Sequence, residues 1–260
     1  MLPGNTEIAH HVLLFIDPSG ASASWEDGIL EDCGGGPGVS DATLIGGWVP
    51  GSFPVLPPEG VGIEFPAGAR MIFNYHYHAT GSPQSDDSTA LALRYSTTPP
   101  EWLSFFELVG APGVGTLQTE PFLIEAGAKD HEEVAEWVIP DFGDLDVRVW
   151  STTNHMHKVG VDMQTSVIRG GEEECLVQTP SWDFNWQRSY AYDVPIGESV
   201  QVESGDIVRV RCTYDNTLDN PSVLEALAEV GATEPMDVVL GEGTLDEMCL
   251  AGVGVAYKPL

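Results

Sequence analysis

Short apolar or alternating runs recur along the chain, at residues 8–16, 70–77, 90–95, 147–151, 159–168, 199–202, 207–214 and 250–257. Alternation with a period of two marks a half-buried strand, because successive side chains point to opposite faces. Turn-forming clusters such as Asp17-Pro18-Ser19-Gly20 and residues 215–221 separate the runs. The pattern predicts an all-β chain of sandwich or jelly-roll type. One segment differs: residues 221–230 carry helical apolar spacing, with Asn220 placed as N-cap, Pro221 at the first helical position and Gly231 just past the end. No internal repeat breaks the pattern. The double proline in Thr97-Thr98-Pro99-Pro100 interrupts it, which predicts two units, 1–100 and 101–260.

Composition narrows the class. The 260 residues are 42% hydrophobic, ample for a packed core. Forty Asp and Glu against ten Lys and Arg give a formal charge of -30, which repels nucleic acid and anionic membrane surfaces. These acids are dispersed along the chain, as on a solvated surface in a salty or extracellular setting. There is no run of eighteen apolar residues, and Met-Leu-Pro-Gly-Asn at the start lacks a basic region followed by an apolar one, so neither a membrane span nor a signal peptide is read.

Histidine placement carries the chemistry. Six of the seven histidines fall into three groups, His10-His11, His76-Tyr77-His78 and His155-Met156-His157. Met248 adds a thioether near the C-terminus. Imidazole alone suits several metals, but a thioether among imidazoles favours copper, especially Cu(I). Zinc patterns of the C-x-x-C or H-E-x-x-H kind are absent from the sequence. On a strand, His155 and His157 face the same side and form a clamp for one metal. Adjacent His10 and His11 point to opposite faces of a regular strand, so a shared metal requires a bend or bulge there; without one, the pair reads as one buried and one exposed histidine. His131, in Lys-Asp-His-Glu-Glu, reads as an exposed surface residue.

Five segments together resemble the copper type II, ascorbate-dependent monooxygenases: His10-His11-Val-Leu-Leu-Phe, Gly47-Trp48-Val49-Pro50-Gly51, Asn74-Tyr75-His76-Tyr77-His78, His155-Met156-His157 and Gly243-Thr244-Leu245-Asp246-Glu247-Met248-Cys249. They occur in the family order and cover nearly the whole chain. The resemblance implies two jelly-roll β-sandwich domains, each supplying one copper, with a solvent-filled, copper-lined cleft between them. By position, His10, His11 and His76 match a three-histidine electron-transfer copper, with His78 left as a neighbour. His155, His157 and Met248 match the copper that handles dioxygen. The implied reaction is hydroxylation of a C–H bond of a small organic substrate by dioxygen, with ascorbate or an equivalent electron donor.

The resemblance also implies a Cys212-Cys249 disulfide that holds Met248 in place, leaving Cys33 and Cys175 unpaired. Together with the family, that bond implies a periplasmic or extracellular location. Two departures bear on substrate and completeness. Where the peptide-amidating branch keeps an arginine and an asparagine for the substrate carboxylate, this chain has Thr153 and Leu250, which disfavours peptide amidation. Only nine residues precede His10, whereas the family carries several strands there, so an N-terminally truncated, bacterial-type member is expected. Trp182-Asp183-Phe184-Asn185-Trp186 reads either as a cleft lining for an apolar substrate or as sandwich-core aromatics. Other classes share these features in part: a copper-binding sandwich or inactive truncated remnant without turnover, and a plain interaction or carbohydrate-binding module.

Overall fold

The computed structural model describes residues 1–30, 36–111, 116–117, 121–243 and 245–259; Cys33, expected unpaired, lies outside them. From the N-terminus run β1 (Ala9–Asp17), β2 (Thr43–Trp48), β3 (Val61–Gly62) and β4 (Arg70–Tyr77). Then come β5 (Trp102–Val109), β6 (Thr116–Leu117), β7 (Leu123–Ile124), β8 (Lys129–Val138), β9 (Asp146–His155), β10 (Gly160–Arg169), β11 (Glu172–Thr179), β12 (Ser189–Ala191) and β13 (Val200–Val202). The chain closes with β14 (Ile207–Asp215), α1 (Pro221–Glu229), β15 (Val238–Val239) and β16 (Leu250–Lys258).

Two of these sheets make a sandwich. One has the order β11-β10-β14-β8-β6, the other β12-β9-β16-β5-β3 with β13 also paired to β9. Strand β14 shows why they stack. Val208, Val210, Cys212 and Tyr214 are fully buried at every second position and face Val149, Ala251, Val253 and Val255 of the opposite sheet in one core. Each such aliphatic side chain contributes about 1.5–3 kcal/mol on burial. The outer face of the second sheet is covered too, by Trp102, Trp150 and Ile196. There the Trp150 indole donates to Ser104 Oγ at 2.9 Å, and that hydroxyl donates to the Val255 carbonyl at 2.7 Å. This is the all-β sandwich architecture expected.

A separate three-stranded sheet, β2-β1-β4, carries the first histidines. It comes from the N-terminal segment, but β3 from the same segment pairs in parallel with β5 of the sandwich. Helix α1 forms as read: the Asn220 side chain caps it by accepting from the Ser222 amide at 3.0 Å, Pro221 opens it, and Gly231 follows with φ of +72°.

The residue 90–95 run is not a strand; Ala90 makes an isolated bridge with Leu2. Strand β8 was hidden in the sequence by its charges, since Lys129, Asp130, Glu132, Glu133 and Glu136 obscure the apolar alternation. Cross-strand pairing with β14 overrides that weak local signal. At the end of β5, Gly110 has φ of +96°, and a Cβ there would collide with the Cys249 carbonyl. Glycine therefore lets this strand end close against the loop that bears Met248.

Candidate metal centre

The bend required at His10-His11 is present. On β1, Ala9 lies opposite Tyr77 and His11 opposite His76, which leaves His10 as the extra residue of a β-bulge. Both rings thereby reach the His76 side. His10, His11 and His76 each offer a ligand nitrogen, and these atoms lie within 4.8 Å of one another. The His10 and His11 Nδ1 atoms face each other at 3.0 Å, so one ring carries the proton and the other accepts it. His11 is buried and the other two are half-buried, with Glu242 at 3.7 Å from His76 Nδ1. His78 stays outside this group of three: its side chain is exposed and its main-chain amide donates to the Ile8 carbonyl.

The H-x-H pair is built differently from a plain strand clamp. Strand β9 ends at His155, so His157 sits in the turn that follows, with Met156 fully buried between them. Their ring centroids are 5.2 Å apart and the rings nearly perpendicular. Two neighbours fix the tautomers. His155 Nδ1 lies 2.6 Å from Gln187 Oε1, and Gln187 is oriented because its amide donates to the Phe184 carbonyl at 2.9 Å. The oxygen accepts, so His155 Nδ1 carries the proton. His157 Nδ1 likewise donates to the Asp246 carbonyl at 3.0 Å. Each ring is left with an Nε2 lone pair, the donor a metal needs. His157 Nε2 is buried and has no hydrogen-bond partner among the described residues. That orphan is costly in an empty fold and is what a ligand atom looks like. Imidazole nitrogens of this kind fit copper, among other metals.

Met248 is connected to this pair through its backbone. Its carbonyl accepts from the Tyr214 hydroxyl at 2.8 Å, its amide donates to Glu247 Oε1 at 3.0 Å, and Cys249 next to it is bonded to Cys212. Glu247 is fully buried and also accepts the amides of His157 and Val159, so one carboxylate ties the methionine loop to the histidine turn. Burial pushes the Glu247 pKa up to about 8, against the pull of those amides. The histidines move the other way. Burial first, and neighbouring imidazoles second, lower His10 to about 4, His11 to about 2 and His157 to about 3. Burial lowers His155 as well, opposed by its bond to Gln187. All four are neutral at physiological pH, the form that binds metal.

The two groups of histidines also touch. His10 and His157 have ring centroids 5.6 Å apart, and Phe184 lies 5.8 Å from the first and 6.0 Å from the second.

Residues 131–254, which carry the H-x-H pair, Met248 and the disulfide, match the family model described as copper type II ascorbate-dependent monooxygenase, C-terminal domain. The segment belongs to that family. No curated protein sequence matches the chain. Among solved structures, the C-terminal globular domain of an oligosaccharyltransferase from Pyrococcus abyssi aligns at 10% identity, over 99% of this chain and 43% of that one. Its TM-score of 0.18 is too low to support any inference about fold or activity.

Within the monooxygenase domain, other expectations meet the structure unevenly. The Cys212-Cys249 disulfide is formed, and Cys175 is free and exposed. His131 is not an exposed surface residue: it is half-buried, with Nε2 2.8 Å from the fully buried Glu133 carboxylate, because β8 turns this face inward against Tyr214. Thr153 donates its hydroxyl to Ser189 at 2.6 Å, and Leu250 is buried, so neither position presents a cation or an amide for a carboxylate. The aromatic segment divides. Trp182 packs on the core and donates to the His157 carbonyl, Phe184 lines the histidines, and Trp186 is exposed beneath the Arg188 guanidinium. Gln187, Asp246 and Glu247 were not singled out by sequence. Their one signal was adjacency, Gln187 to the aromatic run and the two acids to Met248.

Proposed function

We propose that the chain is a copper-dependent monooxygenase that hydroxylates a C–H bond of a small organic substrate, using dioxygen and a reductant such as ascorbate. The observation that carries this reading is the buried Nε2 of His157, left without a partner while Nδ1 of both His155 and His157 is anchored. In it, His10, His11 and His76 hold one copper, and His155, His157 and Met248 hold the other. The family match over residues 131–254 supports copper and ascorbate dependence for the second set, and the ligand-atom spacing supports the first. Copper in such a donor set would pass the reductant's electrons to dioxygen, chemistry that no amino-acid side chain provides.

The chain's own residues do the rest. Gln187 and the Asp246 carbonyl hold the protons on Nδ1 and so aim both Nε2 lone pairs. Glu247, Tyr214 and the disulfide fix the methionine, whose thioether cannot orient itself by hydrogen bonding. The thioether favours the reduced metal. Phe184 presents an apolar wall to His10 and His157, which suits exclusion of water from a reactive centre. Thr153 and Leu250 argue for a substrate other than a peptide carboxylate. The disulfide fits a periplasmic or extracellular site of action, and among the described residues no helix is long and apolar enough to cross a membrane.

The test is copper stoichiometry by elemental analysis on reconstituted protein, with Cu(I) X-ray absorption and Met248→Ala as control. Two coppers per chain, a sulfur scatterer that disappears in the variant, and ascorbate-driven oxygen uptake are expected. Protein that retains no copper after desalting would refute the reading.

A further inference from the structure

The geometry points to a binding site for a small organic oxyanion, a carboxylate or an enediolate, at the guanidinium of Arg188. The site adds a group for substrate or reductant to the reading above, and rests on that reading for what the anion is.

Arg188 is clasped by aromatic rings. Its Cζ lies 4.0 Å over the ring centroid of Phe53 and 4.0 Å over that of Trp186. Both rings are largely exposed, at 70% and 59%, so the stack stands at the surface. Phe53 belongs to the loop after β2, which docks directly on the aromatic segment: a Cβ on Gly51 would collide with the Asn185 carbonyl. Ring faces attract the cation but leave its N–H groups, which lie in the guanidinium plane, without acceptors. The Nη1 atom of Arg188 is buried and has no hydrogen-bond partner among the described residues. An unpaired donor on a cation is costly, and an incoming acceptor removes that cost.

Other arginines are spent differently. Arg148, Arg169, Arg209 and Arg211 each meet a carboxylate, and Arg70 donates to the Ser22 hydroxyl. Arg188 meets no carboxylate among the described residues, although the chain carries forty acidic side chains. Its donors are therefore open to an oxyanion from outside. The rings help in two ways. They fix the guanidinium plane before binding, so less side-chain freedom is lost when the ligand arrives. They also exclude water from one side of the contact, where charge-assisted hydrogen bonds are stronger. A carboxylate or an enediolate offers two oxygens side by side, which matches the guanidinium fork.

Position ties this cation to the histidines. Phe184 lies beside His10 and His157, and Gln187 takes the His155 Nδ1 proton. Arg188 is the next residue in the same stretch. A small acid held by it rests against the segment that supports the metal centre.

The test is a nuclear magnetic resonance titration of the isotope-labelled full chain, prepared without copper so that ascorbate is not consumed. Benzoate is added in one arm and ascorbate in the other, at constant ionic strength. The probes are the Arg188 Nε–Hε cross-peak, assigned with Arg188→Lys, and the Trp186 indole N–H cross-peak, assigned with Trp186→Phe. The expected result is a saturable shift of both in the millimolar range, while the peak of exposed Arg94 drifts without saturating. Arg188→Gln should abolish saturation at Trp186, and Phe53→Ala should weaken binding about 2–5-fold. Saturation by benzoate alone assigns the site to a substrate carboxylate, by ascorbate alone to the reductant, and by both to oxyanions of either source. Shifts at Arg188 no larger than those at Arg94, or saturation that survives Arg188→Gln, would overturn the site and leave the stack as a clasp between loop and sandwich. Copper stoichiometry is measured on separate protein, so failure of the anion site and failure of the metal reading are told apart.

Discussion

Glu247 accepts the main-chain amide of His157, 90 residues earlier in the chain, and its carboxylate also takes the amides of Val159 and of its own neighbour Met248. The group is fully buried. Truncation to alanine strands at least two buried amides at about 1–3 kcal/mol each, beyond the cavity it opens. At neutral pH Glu247 holds its proton, yet its hydroxyl oxygen can still accept an N–H, whereas the amide nitrogen of Glu247→Gln cannot; the glutamine keeps the shape and so costs less than alanine but more than nothing. Urea unfolding should rank wild type above Glu247→Gln above Glu247→Ala. In the glutamine variant, Cu(I) X-ray absorption should show a weakened sulfur contribution, since the methionine loop has lost a tie to the histidine turn. Unchanged stability and an intact sulfur signal in Glu247→Gln would show that the carboxylate positions nothing.

Gln187 supports the other histidine. Its side chain is buried and its oxygen takes the His155 Nδ1 proton at 2.6 Å. Partners of this kind typically account for about 10–100-fold in metal affinity. Gln187→Ala should weaken binding at the second set by that order in competition with a Cu(I) chelator, while a variant of exposed Trp186 leaves it unchanged. Equal affinities for Gln187→Ala and wild type would exclude this role.

The Cys212–Cys249 bond closes a loop with a sequence separation of 37, for which restriction of the unfolded chain contributes about 3–4 kcal/mol. Both sulfurs are buried in the sandwich core, next to Met248. Paired Cys212→Ala and Cys249→Ala substitution should lower the urea midpoint by an amount consistent with that figure, and mild reductant should not reproduce it in the folded protein because the bond is inaccessible. Rapid reduction without denaturant would contradict the burial.

How much was legible in advance depended on whether a residue's partner was near it in sequence. Strand β4 and helix α1 could be read because alternation, Asn220 and Pro221 are local signals. The bulge at His10 could be argued from adjacency alone, since two neighbouring rings cannot share a side of a flat strand. His157 was misplaced by one element: nothing in His155-Met156-His157 reveals that β9 stops at the first histidine, because what holds the second is Asp246 and Glu247, far along the chain. His131 was misread for a related reason. In isolation a run of charges signals a solvated face, and pairing with Cys212 and Tyr214 across β14 is what turns two of those residues inward. The contact between His10 and His157 had no sequence signal, being a product of how the small sheet meets the sandwich.

Acid should destabilise the metal-free protein well before its carboxylates titrate. His10, His11 and His157 have folded pKa values of about 4, 2 and 3, against 6.5 in the unfolded chain. Below pH 6.5 the unfolded state therefore takes up protons that the folded state refuses, so stability is fully present above 6.5 and falls as the pH drops toward 4. Glu247 runs the opposite way: its folded pKa of about 8 means that the folded state holds a proton the unfolded state lacks between pH 8 and 4.5, which offsets one histidine. Once the unfolded histidines are nearly fully protonated, between about pH 5.5 and 4.5, the remainder is about two protons, or roughly 3 kcal/mol lost per pH unit, and the slope is shallower near 6.5. Urea midpoints of the copper-free protein at pH 7.5, 6.0 and 5.0 should decline accordingly, and His11→Ala, which deletes the most depressed of the three, should flatten the profile. A midpoint that holds steady from 7.5 to 5.0 would mean that the imidazoles are hydrated and free to protonate in the fold.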